Sequence, residues 1–550
     1  MKTGIRNHLW NITLPSVGLS AAVGVVTGAL IFAFRVISEG VIRLSEYIFA
    51  FANQRYWAIP LVVAGAVLVG LFVSLCLLYS PHSRGGGIPT AVALMRGLIT
   101  FHWLRNIIFV FASALLSYLC GIPLGNDEGP AVQVGTAVGS GISRIGHKSS
   151  RGWERYLMTG GATAGFAVAT CAPISGILFG LEEAHRRITP LLLMTSATGV
   201  LCGMGTLRVL CYLTGRSDLL SLFHFHLDEV LPLQQVWVAL LVGLLCGIGA
   251  YALAFATLKI RSFMHNKLHH LHPFFKVAPV FALVALVGCF FYEHHVIGTG
   301  HHLIESLIAH REVWYIALGL LLVRAVLVIL ANDVGATGGL FTPLLVFGAL
   351  IGSMTAELTI ALGWLEPRYF PLLVVMGMAS FFSASVRTPL TAAVFAVEVF
   401  SGFDNILPLM VAILLSYMMV ETLGVTSINE IAMEREIHRA HRGKTRRQVD
   451  VELTVMPGSF AVGKEPRDIL WPPACQVLSM RDDENDDTDS YVVGALQERM
   501  ILRLNFTTYD PDETARELCA ILGEQRVYDE AAVIDEQVGP RLSERIPGRK

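Results

Sequence analysis

The sequence predicts an all-α polytopic membrane protein followed by a small α+β domain, and three observations lead there. Its 550 residues are 53% hydrophobic and 15% charged, with a mean hydropathy of +0.58, whereas soluble domains carry about 25% charged residues. Long apolar runs cover 14–34, 57–78, 106–124, 190–213, 236–256, 277–291, 314–330, 344–362 and 406–425, several of them near or above the ~20 residues that cross a bilayer. Landmarks of the first half also recur in the second at nearly one spacing. The formal net charge of −2 comes with no basic stripe for nucleic acid. The nine cysteines are scattered without C-x-x-C spacing, so neither a disulfide framework nor a zinc site is expected. No cofactor is called for.

The elements follow in order. The first run lacks a signal-cleavage pattern and is followed by further spans, so it is read as retained. After the second run comes Gly85-Gly86-Gly87-Ile88-Pro89-Thr90. Three glycines admit close backbone approach to a ligand, and Pro suits a first helical turn; a flexible interhelix turn is the other reading. Gly125-Asn126-Asp127-Glu128-Gly129-Pro130 then sets two adjacent carboxylates inside greasy sequence. A carboxylate at membrane depth is costly and marks function. The Gly and Pro around it break one helix and open another, and a helix start offers free N–H groups to an anion. The reading is an ion site that Glu128 can itself occupy. Gly135 and Gly139 form a close-packing face. A short apolar helix after Ala172-Pro173 ends in Glu182-Glu183.

The second half repeats this order. Gly298-Thr299-Gly300 echoes the triple glycine (300 − 87 = 213), Thr342-Pro343 echoes Gly129-Pro130 (343 − 130 = 213), and Thr388-Pro389, leading to Glu398, echoes Ala172-Pro173 (389 − 173 = 216). Repeats with broken helices in matching places are a transporter signature, with the site at their interface; their relative orientation is left open. The domains are therefore 1–443, transmembrane, with repeats at about 10–213 and 236–425, and 444–550, a tail whose compact part is about 450–526. In the tail, 449–455 alternates like a strand, 482–487 is an acidic run read as a solvated loop, and 510–522 reads as a helix with Asp512 as a cap and Ala515, Leu518, Ile521 and Leu522 as its apolar face. From Asp535 the chain reads as a polar, frayed end. Lys2 and Arg6 at one end, and Arg435, Arg439, Arg442, Lys444, Arg446 and Arg447 at the other, put both termini in the cytoplasm by the positive-inside rule.

These motifs resemble the CLC family of chloride channels and chloride/proton antiporters. Its G-S-G-I-P matches 85–89, its G-[KR]-E-G-P matches 125–130, and its G-x-F-x-P matches Gly339-Leu340-Phe341-Thr342-Pro343; the likeness covers about 10–440. The resemblance implies inverted repeats, a homodimer with one pore per subunit, and anion sites lined by helix N-termini. It implies that Glu128 is the external gating glutamate and Glu183 the internal proton-transfer glutamate. Leu340 and Phe341 would supply the central anion site and Gly85 and Gly86 the inner one, with Gly87 and Gly129 as further anion-binding residues. Three departures stand out. Gly86 replaces the family's Ser, Asn429 falls near its pore tyrosine, and the gate stretch is one residue longer with Asp127 in place of a base; Asp127 and Asn429 are further pore-lining candidates. The tail lacks paired CBS domains. Its Pro457-Gly458-Ser459, Gly463-Lys464 and Leu470 are similar to the C-terminal regulatory domain of potassium-transport regulators.

The expected function is anion transport across the cell membrane, as chloride/proton antiport gated by Glu128. The alternative is a passive voltage- or pH-gated anion channel of relaxed selectivity, which the missing Ser and Tyr donors favour. A membrane-embedded enzyme is the remote reading, and neither H-E-x-x-H nor G-x-S-x-G is present. The expected partners are chloride or similar anions, protons, lipid and a second copy. Plainer readings accompany the motifs. Glu182 and Glu183 read also as interfacial acids answered by Arg186 and Arg187, and Glu398 as a structural hydrogen-bonder. His265, His269, His270 and His272 have metal-like spacing, but 263–273 reads as an interfacial loop, so no metal is assigned. Gly443-Lys444-Thr445 is no phosphate loop, since position 438 is His.

Overall fold

The computed structural model describes residues 14–145, 153–227, 229–268, 271–481, 494–523 and 533–537. Lys2, Arg6, His269, His270 and the acidic run 482–487 lie outside them. The chain forms α1 (Leu14–Gln54), α2 (Ile59–Tyr79), α3 (Ile88–Met95), α4 (Trp103–Leu119), α5 (Glu128–Ile145), α6 (Glu154–Thr170), α7 (Pro173–Phe179), α8 (Pro190–Thr214), α9 (Trp237–Leu268), α10 (Pro273–Phe290), α11 (His301–His310), α12 (Trp314–Val334), α13 (Phe341–Ala361), α14 (Phe370–Val386), α15 (Pro389–Phe400), α16 (Ile406–Thr422) and α17 (Ile428–Ala440).

Several helices exceed their apolar runs. α1 has 41 residues and α9 has 32, so 263–268, expected as loop, is the last part of α9. α6 and α14 were not legible as apolar runs, yet both are buried along nearly their whole length. α6 is rich in Gly, Ala and Thr because it packs backbone-close on α5. A side chain on Gly135 would strike the Gly161 carbonyl, and one on Gly139 the Leu157 carbonyl. Helices that meet through small residues carry little hydropathy signal.

The two halves meet through exchanged partners. Gly125 and Gly339 form an antiparallel bridge, each N–H donating to the other's carbonyl at 2.6 and 3.2 Å. Gly85 N–H donates to the Gly335 carbonyl at 3.4 Å, and Gly298 N–H to the Gly121 carbonyl at 2.9 Å. The spacings are 298 − 85 = 213 and 335 − 121 = 214, and all four glycines have positive φ (75°, 77°, 64° and 89° for Gly85, Gly298, Gly121 and Gly335), which a side chain disfavours. The acids do the same. Glu182 accepts the N–H groups of Leu390 (3.0 Å) and Thr391 (2.7 Å) at the start of α15, and Glu398 accepts those of Ile174 (2.7 Å) and Ser175 (2.8 Å) at the start of α7. A twofold relation between the repeats requires such reciprocity. The reading of Glu182 as an acid answered by Arg186 and Arg187 is thereby corrected. Arg186 pairs with Glu430, and Arg187 donates to the Ile469 carbonyl at 2.8 Å.

The tail holds a sheet of β1 (Arg446–Thr454), β2 (Gln476–Arg481), β3 (Ile501–Thr508) and β4 (Val533–Gln537) in the order β2-β3-β1-β4, all neighbours antiparallel. Asp535, expected to begin a frayed end, lies in β4. Helix α18 (Pro511–Leu522) is capped by Asp510 rather than Asp512, because the Asp510 carboxylate accepts the Glu513 N–H at 3.3 Å; Asp510 and Glu513 have capping-box spacing. Leu502, Leu504, Phe506, Leu518, Ile521 and Leu522 fill the space beneath. This core continues into the helical part. Phe460 meets Trp153 edge-on at 4.9 Å, the Tyr156 hydroxyl donates to the Asp468 carbonyl at 2.6 Å, and Arg155 pairs with Glu517 at 2.5 Å.

Candidate functional site

Three glycine stretches interlock where α3, α5 and α13 begin. A side chain on Gly129 would strike the Gly86 carbonyl and the Gly339 Cα, and one on Gly87 the Gly129 carbonyl. Backbone-to-backbone contact on this scale brings Gly85, Gly86, Gly87, Gly129, Leu340 and Phe341 into one place. The starts of α3 and α13 have no side-chain cap among the described residues; at α13 this leaves the Phe341 and Thr342 N–H groups for a ligand or a carboxylate, whereas at α3 the Ile88 N–H already donates to the Gly86 carbonyl at 2.8 Å and Pro89 has none. Phe341 is held there by the rings of Phe166, Phe382 and Phe395 at 5.2, 4.9 and 5.0 Å.

Glu128 opens α5 and is 1% exposed. The Thr342 hydroxyl donates to its Oε1 at 2.5 Å, and His301 Nε2 stands 3.5 Å from the same oxygen. Its Oε2 has no hydrogen-bond partner among the described residues and faces Gly125 and Gly339, where a Cβ would come within 3.2 and 3.5 Å of it. Asp127 points elsewhere. Its carboxylate accepts from the Ser38 hydroxyl at 3.0 Å and pairs with Arg35 at 3.4 Å, and Arg35 also donates to the carbonyls of Val168 (3.0 Å) and Leu219 (2.9 Å). The Tyr118 hydroxyl donates to the Asn126 carbonyl and fixes the backbone just before the two acids.

Glu183 lies in a π-helical turn, Gly180–His185, and is buried. Asn429, on the first turn of α17, donates to its carboxylate, so Asn429 is placed on Glu183 rather than on the glycine cluster. Arg96 holds the turn by donating to the Glu183 and Ala184 carbonyls at 2.9 and 2.8 Å. His185 meets the Thr159 hydroxyl at 2.7 Å, near the level at which Leu157 and Met158 cross Gly139. Thr159 lies on α6 between Leu157, against Gly139, and Gly161, against Gly135, so the turn that carries Glu183 meets α6 beside the middle of α5 and not at its start, where Glu128 sits. One cleft, lined by Glu46, Tyr118, His295, Thr299 and His302, opens on the Glu128 side; another, lined by Arg96, Asn429, Glu430 and Met433, opens at Glu183.

Sequence reasoning did not find His301, Thr342, Arg35, Ser38 or Arg96 as partners of these acids. The repeat carried a signal for two of them. Thr342 is the equivalent of Gly129 (342 − 129 = 213), and His301 directly follows the echo of the triple glycine. Among the described residues no cluster of His, Cys, Asp and Glu could hold a metal ion.

The family model described as voltage gated chloride channel matches residues 65–421. The H(+)/Cl(-) exchange transporter ClcA of Yersinia pestis bv. Antiqua (strain Angola) is 29% identical over 465 residues, 82% of this chain and 92% of that protein. The ClcA of Vibrio campbellii (strain ATCC BAA-1116) is 27% identical over 404 residues, 72% of this chain and 82% of that one. Among solved structures, a slow cyanobacterial Cl-/H+ antiporter matches with a TM-score of 0.69 at 22% identity, over 78% of this chain and 99% of that one. A CLC-type fluoride/proton antiporter matches with a TM-score of 0.61 at 20% identity, over 74% and 95%. The structural likenesses establish a shared fold.

Proposed function

Because this chain belongs to the voltage gated chloride channel family, we propose that it exchanges chloride for protons across a cell membrane, with Glu128 as the gate. The carrying observation is the position of Glu128, whose carboxylate sits where the glycine stretches and uncapped helix starts meet. An anion crossing hydrocarbon needs its hydration replaced, and backbone N–H groups do this without fixed charges that would hold it too tightly. An ionised Glu128 competes with the anion for those groups; a protonated one releases them. Glu183, on a cleft of its own, gives the proton a separate exit. Sharing the gate but not the whole path couples the two fluxes in opposite directions. In this reading Leu340, Phe341 and Gly129 line the central anion site and Gly85 to Gly87 the inner one. The region 1–443 carries transport as one subunit of a homodimer, and 444–550 is a tail on the cytoplasmic side with the basic residues around Arg435–Arg447.

The test is flux in liposomes. A chloride gradient should drive protons uphill through the wild-type protein. Glu128→Gln should keep chloride flux and abolish proton pumping, and Glu183→Gln should spare chloride flux while reducing proton flux. A wild-type protein that moves chloride without protons would be the passive channel, the reading favoured by Gly86, which offers no hydroxyl to the anion.

A further inference from the structure

Glu128 is sealed from solvent, so its proton must arrive through a neighbour. Among the described side chains, Thr342 and His301 reach its Oε1. The Thr342 hydroxyl stays neutral and protonated, whereas an imidazole nitrogen can take up a proton and give it back. The His301 side chain is 17% exposed against 1% for that of Glu128, and its chain neighbours Gly300 and His302 line the outer cleft. Its place is set by the backbone. Gly300, at φ 101°, turns the chain into α11, and the ring rests on Phe223 at 5.2 Å.

Imidazoles and carboxylates cluster around the next residue, His302. His302 Nε2 is 3.3 Å from Glu46 and its Nδ1 4.0 Å from Glu305; His224 Nδ1 is 3.1 Å from Glu305; and the His295 ring is 6.3 Å from that of His302. The other charged groups packed near His301 are spoken for. Asp127, beside Glu128, pairs with Arg35, and the Arg324 guanidinium, against Gly300, donates to the carbonyls of His295 (3.0 Å) and Gly298 (2.7 Å). The cleft of Glu46, His295 and His302 also opens on this end of the molecule.

We propose that His301 is the proton relay of the gate, passing protons between the outer cleft and Glu128. In the forward step the Nε2–H bond of the imidazolium breaks and an O–H bond forms at Oε1, leaving a neutral imidazole and a neutral carboxylic acid. A proton from the cleft then restores the imidazolium, and the reverse sequence returns the proton. This rests on the reading of Glu128 as the gate.

The test is His301→Gln, which keeps a side-chain N–H donor but cannot accept and pass on a proton, measured in liposomes over a range of pH. Proton turnover should fall by roughly tenfold or more, and the wild-type pH dependence across that range should flatten. In the Glu128→Gln background, where no proton is relayed, adding His301→Gln should produce no further change in the pH profile. Wild-type proton turnover and an unchanged profile in His301→Gln would overturn the proposal. So would a flattening that persists in full in the Glu128→Gln background, which would assign His301 to packing or to the anion path. If the wild type moves chloride without protons, the exchange reading fails on its own, and the pH profile of chloride flux in His301→Gln then decides the relay by the same criterion.

Discussion

Asp127 and Glu128 are neighbours in sequence, both buried, and their partners give them different work. Asp127 neutralises Arg35, a buried cation that also ties α1 to the Val168 and Leu219 carbonyls. Removing one partner of a buried ion pair costs about 3–5 kcal/mol. Asp127→Asn should therefore lower the thermal unfolding midpoint of the detergent-purified protein clearly, while Glu128→Gln, which retains an acceptor for Thr342, should move it little. Equal midpoints would show that Arg35 is satisfied by its carbonyls alone. Gly86 has room for a modest change. A Cβ there would stand 3.3 Å from Leu340 Cγ, so Leu340 must yield by a few tenths of an ångström. With a hydroxyl hydrogen bond worth about 1 kcal/mol, Gly86→Ser should raise the preference for chloride over nitrate roughly fivefold, read from reversal potentials or competition flux. An unchanged ratio would mean that the new hydroxyl does not reach the anion.

At the scale of elements, the crossed acids tie the two halves together. Each of Glu182 and Glu398 satisfies two orphan N–H groups at the start of the other repeat's helix, and a carboxylate there also meets the positive end of the helix. Glu182→Ala and Glu398→Ala should each destabilise by about 1–2 kcal/mol. The Ser175 hydroxyl donates across to the Thr391 carbonyl at 3.3 Å, so the two caps share one contact and the double variant should deviate from additivity. Midpoints that differ widely between the single variants, measured under one condition, would contradict the equivalence of the two sites. The spacing 398 − 182 = 216 marks these acids as equivalents. That each caps the other's helix depends on how α7 and α15 cross, which no periodicity records.

For the molecule as a whole, the join between helical region and tail has a pH signature. Lys464 is buried with its Nζ 3.6 Å from the Phe460 ring centroid and 5.2 Å from that of Trp153. Burial pulls its ammonium down to about 7, against about 10.4 in an unfolded chain. Between those values the unfolded chain binds more protons than the folded one, so stability rises with pH across that window, and below about 7 the full cost of burying the charge is present. The unfolding midpoint of the full chain should climb from about pH 7 to about 10 through this group, and Lys464→Met should raise the midpoint at neutral pH and remove that part of the slope. A variant with the wild-type slope would show that Lys464 is solvated in solution.

Some of this protein was readable from local sequence. Run lengths indicated spans, Gly and Pro marked the broken helices at Glu128 and Thr342, and a spacing of 213–216 residues disclosed the repeat; each depends only on residues near one another or on counting along the chain. Glu128 and Glu183 stood out for the same reason, as acids in apolar surroundings. The tertiary structure alone decided the rest: Arg35 with Asp127, His301 with Glu128, Asn429 with Glu183, the exchanged caps, and Phe460 on Trp153. These partners lie from 92 residues (127 − 35) to 307 residues (460 − 153) apart. Such pairs form only when helices cross at a particular height and angle, and that is set by the backbone-close packing of glycines on the three-dimensional faces of α5, α6 and α13.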